Sequence, residues 1–198
     1  SNYGLEFPTP ESTPLTVSNL DEARTSYMLS KIYGEAMCLH SGLPVTIIRP
    51  HNFYGPRMGL SHVVPALMKK VIDSDNGQID VSSVNHKRTF CYIVDAVRTI
   101  KLLAESDKTV GEVYNIGNDD EEVTMGELAQ KIIKLIGKQV TINPQPVTPG
   151  SPEYRCPSIS KLKEVVPYIK KFPMQKGLQE TFTWYNTNIF SGEEQSAI

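Results

Sequence analysis

Apolar positions along the chain predict helices that alternate with short strands. Between residues 23 and 40 the apolar side chains recur every three or four positions, which indicates an amphipathic helix that ends at Ser41 and Gly42. Residues 45–48, Val-Thr-Ile-Ile, form a short apolar run between two prolines, typical of a strand buried on both faces of a parallel sheet. We therefore predict an α/β fold.

The rest of the chain continues this alternation. The pattern predicts helices at 62–72, 92–105, 124–135, 158–166 and 177–187, and strands at 79–83 and 113–116. Thr124 and Glu127 have the spacing of a capping box, which begins a helix, and Gly137 is expected to end it. Residues 144–157 are rich in proline and are predicted to be a linker.

The composition excludes several classes of protein. The 198 residues carry 20 basic and 22 acidic side chains, so no positive excess attracts nucleic acid or an anionic membrane. No apolar run approaches the roughly 20 residues of a membrane span. Cysteines without a Cys-x-x-Cys pair indicate reduced thiols, and the histidines lack metal-ligand spacing. We expect a cytoplasmic protein with no nucleic-acid, membrane or metal partner.

Tyr27 and Lys31 are the first candidates for chemistry. They are four residues apart on the first predicted helix, and therefore lie on one face of it. A neighbouring cation favours the phenolate form of a tyrosine, which can then take a proton from a sugar hydroxyl while hydride leaves the same carbon. A solvated pair on a helix surface has the same spacing, so the motif alone leaves both interpretations open.

A second block follows one predicted strand later. Residues 49–57 read R-P-H-N-F-Y-G-P-R. Together with Tyr-x-x-x-Lys, this block resembles the extended short-chain dehydrogenase/reductase family, and more narrowly its nucleotide-sugar epimerases, dehydratases and decarboxylases. The resemblance continues through H-K-R-T-F at 86–90, G-E-V-Y-N-I-G at 111–117 and R-C-P at 155–157, and so covers nearly the whole chain.

The resemblance implies an NAD-binding Rossmann-type fold with a doubly wound parallel sheet, followed by a smaller C-terminal α/β lobe that binds substrate. Residues 1–56 would be the end of the dinucleotide-binding domain and include the active-site helix. Residues 57–198 would mainly form the substrate lobe, with 92–117 returning to the dinucleotide-binding sheet. The glycine-rich phosphate turn and the catalytic Ser or Thr would lie before residue 1, so the 198 residues alone are expected to be inactive.

The resemblance also implies catalytic and cofactor-binding roles for particular residues. Tyr27 would be the catalytic base, and Lys31 would support it. Both would also bind the cofactor, Lys31 through the ribose hydroxyls of NAD. Pro50 and His51 would lie near the nicotinamide and contact it mainly through their backbone.

The substrate implied by the resemblance is a nucleotide diphosphate sugar. Asn52 would contact its sugar or diphosphate, and Val63 and Val64 would form part of the wall of the nucleoside pocket. Arg88 and Arg155 would bind the diphosphate, because a guanidinium group suits bidentate contacts to oxygen atoms. A homodimer is implied as well.

Departures from the family pattern bear on the reaction. Thr89 and Ser158 stand where the family has aspartate, so the substrate pocket is expected to be atypical. Ser1 stands where the dehydratases and decarboxylases carry glutamate, which favours epimerase chemistry if Ser1 is native.

The predicted function is NAD-dependent modification of a nucleotide diphosphate sugar through transient oxidation. Epimerisation at C4 is the first choice, which would make the enzyme an isomerase of carbohydrate metabolism. A 4,6-dehydratase or a decarboxylase, both lyases, is the alternative within the same family. A non-catalytic fragment that binds a nucleotide sugar or a protein is the alternative of another class. The sequence leaves the nucleotide and the sugar open.

Overall fold

A computed structural model describes residues 6–17, 19–22, 25–168 and 170–191. The helices are α1 (Thr25–Leu39), α2 (Val63–Ile72), α3 (Ile93–Ala104), α4 (Met125–Ile136), α5 (Ser160–Val165) and α6 (Met174–Tyr185). The predicted helices are therefore present, with ends that shift by at most three residues. Ser1, on which the preference for epimerase chemistry depends, lies outside the described residues.

The strands are β1 (Ile47–Pro50), β2 (Phe53–Tyr54), β3 (Gln78–Ser82), β4 (Lys87–Thr89), β5 (Cys91–Tyr92), β6 (Val113–Ile116), β7 (Glu122–Thr124), β8 (Thr141–Gln145) and β9 (Tyr154–Arg155). Parallel pairs join β1 to β6, β2 to β5 and β3 to β8. Strand β4 lies between antiparallel β7 and parallel β9. Helices alternate with mainly parallel strands, so the predicted α/β class is confirmed.

Helix α4 shows why the local signals were informative. The Thr124 hydroxyl accepts the Glu127 N–H at 3.0 Å, and the Glu127 carboxylate accepts the Thr124 N–H at 2.7 Å. Both halves of the capping box are therefore formed. Gly137 ends the helix with a φ of 78°, a conformation that glycine adopts without steric cost.

Two apolar clusters hold these elements together. The larger one joins α2, α4 and α6 to β3, through buried residues such as Val64, Met68, Leu128, Ile132 and Leu178. The smaller one packs α3 and α5 against β6, through buried residues such as Leu103, Tyr114, Ile116, Ile159 and Leu162. Among the described residues, no helix is both long and apolar enough to cross a membrane.

The first predicted strand is less buried than its sequence indicates. It begins two residues late, at Ile47, its first three residues are partly buried, and Pro50 is exposed. The expectation that both faces are fully buried is therefore wrong for the described chain. Within the described residues β1 pairs with β6 alone, so its other edge has no neighbouring strand to bring further cover.

The predicted linker at 144–157 is also partly wrong. Strand β8 continues through Pro144 to Gln145, and β9 occupies Tyr154–Arg155. Proline has no backbone N–H group to donate. It is tolerated here because β8 is an edge strand of the described sheet and pairs with another strand on one side only. Residues 146–153, here called the β8–β9 loop, remain irregular.

Candidate active site

A cavity of about 340 Å³ lies between α2, the ends of β3 and β4, and the β8–β9 loop. We call it the α2–β4 cavity. Its lining residues come from six separate parts of the chain: Asn52, Val63, Ala66, Leu67, Lys70, Asp80, Val81, Ser82, Ser83, Arg88, Phe90, Met125, Thr148, Ser151, Pro152 and Arg155. Four of the residues assigned to substrate from the sequence, Asn52, Val63, Arg88 and Arg155, thus meet in one place.

One wall of the α2–β4 cavity is apolar and is formed by α2. Val63, Ala66 and Leu67 line it, as their spacing along one helical face allows. Val64 instead has no exposed surface and packs in the larger core cluster. Its expected place in the pocket wall is therefore not observed, because adjacent helical residues point about 100° apart and Val64 faces the core while Val63 faces the cavity.

Asn52 is held at the cavity by its backbone and its side chain. Its φ is 45°, a left-handed conformation that asparagine adopts more readily than most residues. The side-chain amide donates to the Thr89 carbonyl at 2.8 Å, and the Asn52 carbonyl accepts the Cys91 N–H at 3.2 Å. These bonds join the end of β1 to β4 and β5 and leave Oδ1 as the atom of the side chain that can meet a ligand.

The guanidinium of Arg88 is almost completely buried and holds the β8–β9 loop. It donates to the carbonyls of Lys87 and Glu153 at 2.7 and 3.0 Å, and to the Ser151 hydroxyl at 3.0 Å. The loop is held a second time by Ser83, whose hydroxyl accepts the Thr148 N–H at 3.0 Å. Two anchors therefore fix the loop that closes the cavity.

Arg88 and Arg155 face each other across paired strands. They are partners in the parallel register of β4 and β9. Burial, together with the charge of Arg155, lowers the pKa of Arg88 to about 10, so Arg88 remains a cation at neutral pH. Like charges opposite each other on neighbouring strands are destabilising. An anion bound between the two arginines would offset this repulsion, so the pair suits an anionic ligand.

Tyr27 and Lys31 lie on one face of α1, as their spacing predicts. The Lys31 ammonium is 5.3 Å from the centroid of the Tyr27 ring, close enough for a cation–π contact. Both side chains are exposed in the described chain, Tyr27 at 61%. Neither lines the α2–β4 cavity, so the structure does not join this pair directly to the four substrate candidates.

His51 directly follows β1, and its ring has a defined tautomer. The amide nitrogen of Asn115 donates to the carbonyls of Thr9 and Ser158, at 3.0 and 3.2 Å. The amide oxygen must then be the acceptor of the remaining bond, 3.1 Å from His51 Nε2. Nε2 therefore carries the proton, and Nδ1 of the neutral ring is an acceptor. Pro50, the last residue of β1, is exposed beside it.

We predict that His51 makes the fold sensitive to acid. Burial lowers the pKa of His51 from its ordinary value near 6.5, and the hydrogen bond to Asn115 offsets only part of this effect. The unfolded chain therefore takes up a proton first as the pH falls below about 6.5, and stability is lost in that range. The free energy of unfolding, measured with urea at pH 7.5 and pH 5, should fall less in His51→Gln than in the unchanged protein.

The substitution is chosen so that glutamine can still donate to Asn115. His40→Gln is the matched control, because His40 is exposed at the end of α1. An identical loss of stability between the two pH values in His51→Gln and the unchanged protein would contradict the prediction.

Several residues of the α2–β4 cavity were not predicted from the sequence. Thr148, Ser151 and Pro152 lie in the segment that was predicted to be a linker, and Ser83 is the last residue of the strand predicted at 79–83. Ser83 has a φ of 54°, which its sequence does not signal. The sequence carried only a weak signal for these cavity residues. Polar residues lie among the prolines of 144–157, shortly before Arg155, which the family resemblance assigns to the diphosphate.

Comparison with known proteins settles the family. Residues 1–117 match the NAD dependent epimerase/dehydratase family. The chain belongs to that family. The resemblance found in the sequence is therefore confirmed, together with NAD as the cofactor of the family and with the Rossmann-type fold.

Individual members of the epimerase/dehydratase family show the extent of the likeness. The UDP-N-acetyl-alpha-D-glucosaminuronate decarboxylase of Bacillus cytotoxicus is 33% identical over 174 residues, which are 82% of this chain and 53% of that protein. UDP-glucuronic acid decarboxylase 6 of Arabidopsis thaliana is 36% identical over 139 residues, which are 69% of this chain and 39% of that protein. The chain thus spans about half the length, or less, of these curated relatives.

Solved structures of the family superpose on most of the chain. The UDP-glucuronic acid 4-epimerase of Bacillus cereus, in complex with UDP-glucuronic acid and NAD, has a TM-score of 0.74 and 26% identity. That match covers 88% of this chain and 57% of the other. The dTDP-glucose 4,6-dehydratase of Bacillus anthracis, in complex with NAD, has a TM-score of 0.73 and 26% identity, and covers 90% and 55%.

Proposed function

We propose that the whole protein modifies a nucleotide diphosphate sugar through transient, NAD-dependent oxidation at C4 of the sugar, and that it epimerises this carbon. The observation that carries the proposal is the meeting of Arg88 and Arg155, in register, with Asn52 in one cavity. Two guanidinium groups suit the charge of a diphosphate. The apolar wall formed by α2 suits the nucleoside.

The residues of α1 and β1 fit the nicotinamide end of NAD. Exposed Pro50 lies at the carboxyl end of the parallel pair β1–β6, the edge where α/β sheets bind ligands. Nδ1 of His51 is an acceptor there, and on α1 Lys31 offers ammonium donors for ribose hydroxyls. We propose that Tyr27, Lys31, Pro50 and His51 hold this part of the cofactor. Bound NAD supplies the acceptor for the hydride of the sugar.

The chain's own residues account for the proton in this scheme. Tyr27 removes the proton from the C4 hydroxyl. Asn52 Oδ1 accepts from a sugar hydroxyl, and Arg88 and Arg155 fix the diphosphate so that the sugar is oriented for the reaction. When the keto sugar is reduced again from the other face, Tyr27 returns the proton.

Decarboxylation is the second candidate, because the relatives quoted above include two decarboxylases of UDP-sugar acids. A 4,6-dehydratase is the third, since one solved relative carries that name. All three reactions begin with oxidation at C4, so the roles of Tyr27 and Lys31 are the same in each. If Ser1 is native, its place in the position of the glutamate of dehydratases and decarboxylases supports epimerisation.

Incubation of the full-length protein with a panel of nucleotide sugars tests the proposal. NMR spectra of the products distinguish a C4 epimer, a 4-keto-6-deoxy sugar and a sugar that has lost its carboxyl group. We expect a C4 epimer and no net consumption of NAD. If the full-length protein converts no nucleotide sugar in the presence of NAD, the proposal is wrong and a binding function replaces it.

The domain assignment and the assembly extend this proposal. Strand β6 pairs with β1, which supports the assignment of 92–117 to the dinucleotide-binding sheet and of most of 57–198 to the substrate lobe. A homodimer and a cytoplasmic location are proposed on the family resemblance and on the unpaired cysteines. Light scattering of the purified full-length protein tests the dimer.

We predict that Arg155→Ala and Arg88→Ala each weaken binding of the nucleotide diphosphate sugar about 10-fold. Loss of a charge-assisted hydrogen bond costs about 1.5–3 kcal/mol, which corresponds to that factor or more. Calorimetric titration of the full-length protein measures it, and the NAD content should not change. Lys163→Ala is the matched control, since that cation pairs with Asp119 on the surface. Unchanged affinity in both arginine variants would leave the pair with a structural role only.

A further inference from the structure

Helix α1 carries a third polar residue in line with Tyr27 and Lys31. Glu35 follows Lys31 by four positions, as Lys31 follows Tyr27, so the three side chains share one face of the helix. With a rise of about 1.5 Å per residue, Lys31 lies about 6 Å and Tyr27 about 12 Å along the axis from Glu35. A contact that fixes Glu35 therefore bears on both of the other residues.

Glu35 is held by Arg49 of β1 in a two-point contact. Arg49 Nε donates to Oε2 at 3.0 Å and Nη2 donates to Oε1 at 2.5 Å. The two side chains are only 21% and 15% exposed, so water screens the pair less than it screens a surface ion pair. A bidentate pair fixes the relative orientation of its two groups as well as their distance.

Arg49 is itself fixed on its other side. Nη1 donates to the Glu11 carbonyl at 2.9 Å, and the Glu11 carboxylate accepts the N–H of Asn115 at 2.8 Å. Asn115 is the partner of Arg49 in the β1–β6 register. Glu35 is therefore joined to both strands of this parallel pair, close to the carboxyl ends where Pro50 and His51 lie.

Apolar packing does little to orient α1 within the described chain. Thr25 is its buried residue, and Leu29, Tyr33 and Met37 are exposed. Among these residues, polar contacts therefore do more than apolar packing to orient α1. The hydrogen bonds described between α1 and the strands run from Arg49 to Glu35.

We propose that Glu35 is a positioning residue for the reaction. Through Arg49 it sets the rotation and the axial position of α1, so that Tyr27 and Lys31 face the carboxyl ends of β1 and β6. The inference rests on the proposed function, because it assigns a purpose to the placement of Tyr27. It concerns the pair Glu35–Arg49, which touches neither the α2–β4 cavity nor the reacting atoms.

The variant Glu35→Gln of the full-length protein, with its cofactor bound, tests the inference. We expect kcat to fall about 10-fold, because a displacement of about 1 Å at a reacting group can lower a rate by up to 10²-fold. The KM for the nucleotide sugar should stay within about twofold, since the substrate cavity is untouched. A purely structural role would instead lower the melting temperature and the folded fraction, with kcat per folded site unchanged.

Arg49→Lys is the second variant and keeps the charge balance. Lysine retains the cation but cannot make the two-point contact and the bond to Glu11 together, so the same fall in kcat is expected. The double variant should fall no further than either single one, because both remove the same contact. Arg49→Lys carries the test if Glu35→Gln fails to fold.

Glu112→Gln is the matched control. Glu112 pairs with Lys161 at 2.7 Å, in a more exposed ion pair beside β6 that does not involve α1. Its kcat should be unchanged. A kcat near the unchanged value in Glu35→Gln or in Arg49→Lys, while Tyr27→Phe is inactive, would overturn the inference and leave the proposed function intact. Full activity of Tyr27→Phe would exclude Tyr27 from the mechanism and so remove the purpose assigned to Glu35. The proposed function itself fails only if the full-length protein converts no nucleotide sugar.

Discussion

Replacement of Tyr27 with phenylalanine should lower turnover of the full-length enzyme by at least about 10²-fold, with folding intact. The substitution removes one oxygen atom, and with it the group that we propose takes the proton from the sugar. A general acid or base contributes about 10²–10⁴-fold to a rate, so the lower bound is the smaller of these factors. Steady-state kinetics with the substrate found in the nucleotide-sugar panel measures the effect.

Tyr33→Phe is the control for Tyr27→Phe. Tyr33 is on the same helix and is exposed to a similar degree, at 67% against 61%. Its turnover should not change, because it does not share the face of Lys31 and Glu35. Turnover of Tyr27→Phe within threefold of the unchanged enzyme would exclude Tyr27 from the mechanism, whatever the spacing of its motif indicates.

Gly177→Ala should lower the free energy of unfolding by about 3 kcal/mol, at the upper end of the usual range for an overpacked core. Gly177 lies in α6, against the ring of Tyr54. An added Cβ atom would lie 2.9 Å from Cζ of Tyr54 and 3.0 Å from Cδ2 of Tyr92, and it would be closer still to the Tyr54 hydroxyl. Both rings are buried, and they pack against each other with centroids 5.5 Å apart, so neither ring can move freely.

Gly34→Ala is the control for Gly177→Ala. Gly34 is also inside a helix, α1, and apart from its chain neighbours and the backbone of that helix no described atom lies within 4 Å of the position its Cβ would take. Alanine favours a helix over glycine by about 1 kcal/mol, so this variant should be at least as stable as the unchanged protein. Urea unfolding measures both variants. An unchanged midpoint in Gly177→Ala would show that α6 does not pack on Tyr54 as described.

Signals from neighbouring residues were sufficient for the helices and for part of the site. The capping box of Thr124 and Glu127 and the glycine at 137 bounded α4 correctly, since each depends on contacts within one helical turn. The spacing of Tyr27 and Lys31 placed both on one helical face for the same reason. The motifs around 49–57 and 86–90 identified the family, because residue types at fixed spacing are a property of the sequence itself.

Short strands were the main part of the fold that the sequence did not predict. Strands β2, β5 and β9 have two residues each, too few to show an alternating pattern. They exist because a partner strand is present beside them: β9, for example, aligns with β4 in the segment that was predicted to be a linker. Hydrogen bonds between strands are made by residues far apart in the chain, and no local pattern encodes the partner.

By itself, the sequence determined the class of fold, the family, the helix that carries Tyr27 and Lys31, and the arginines to consider at the diphosphate. Only the tertiary structure decided that Val63 faces the cavity while Val64 faces the core, and that Arg88 holds the β8–β9 loop. The same holds for the pairing of Arg49 with Glu35. Helical periodicity acts over three or four residues and can be read locally, whereas burial and ion pairing depend on which distant segment packs against each side chain.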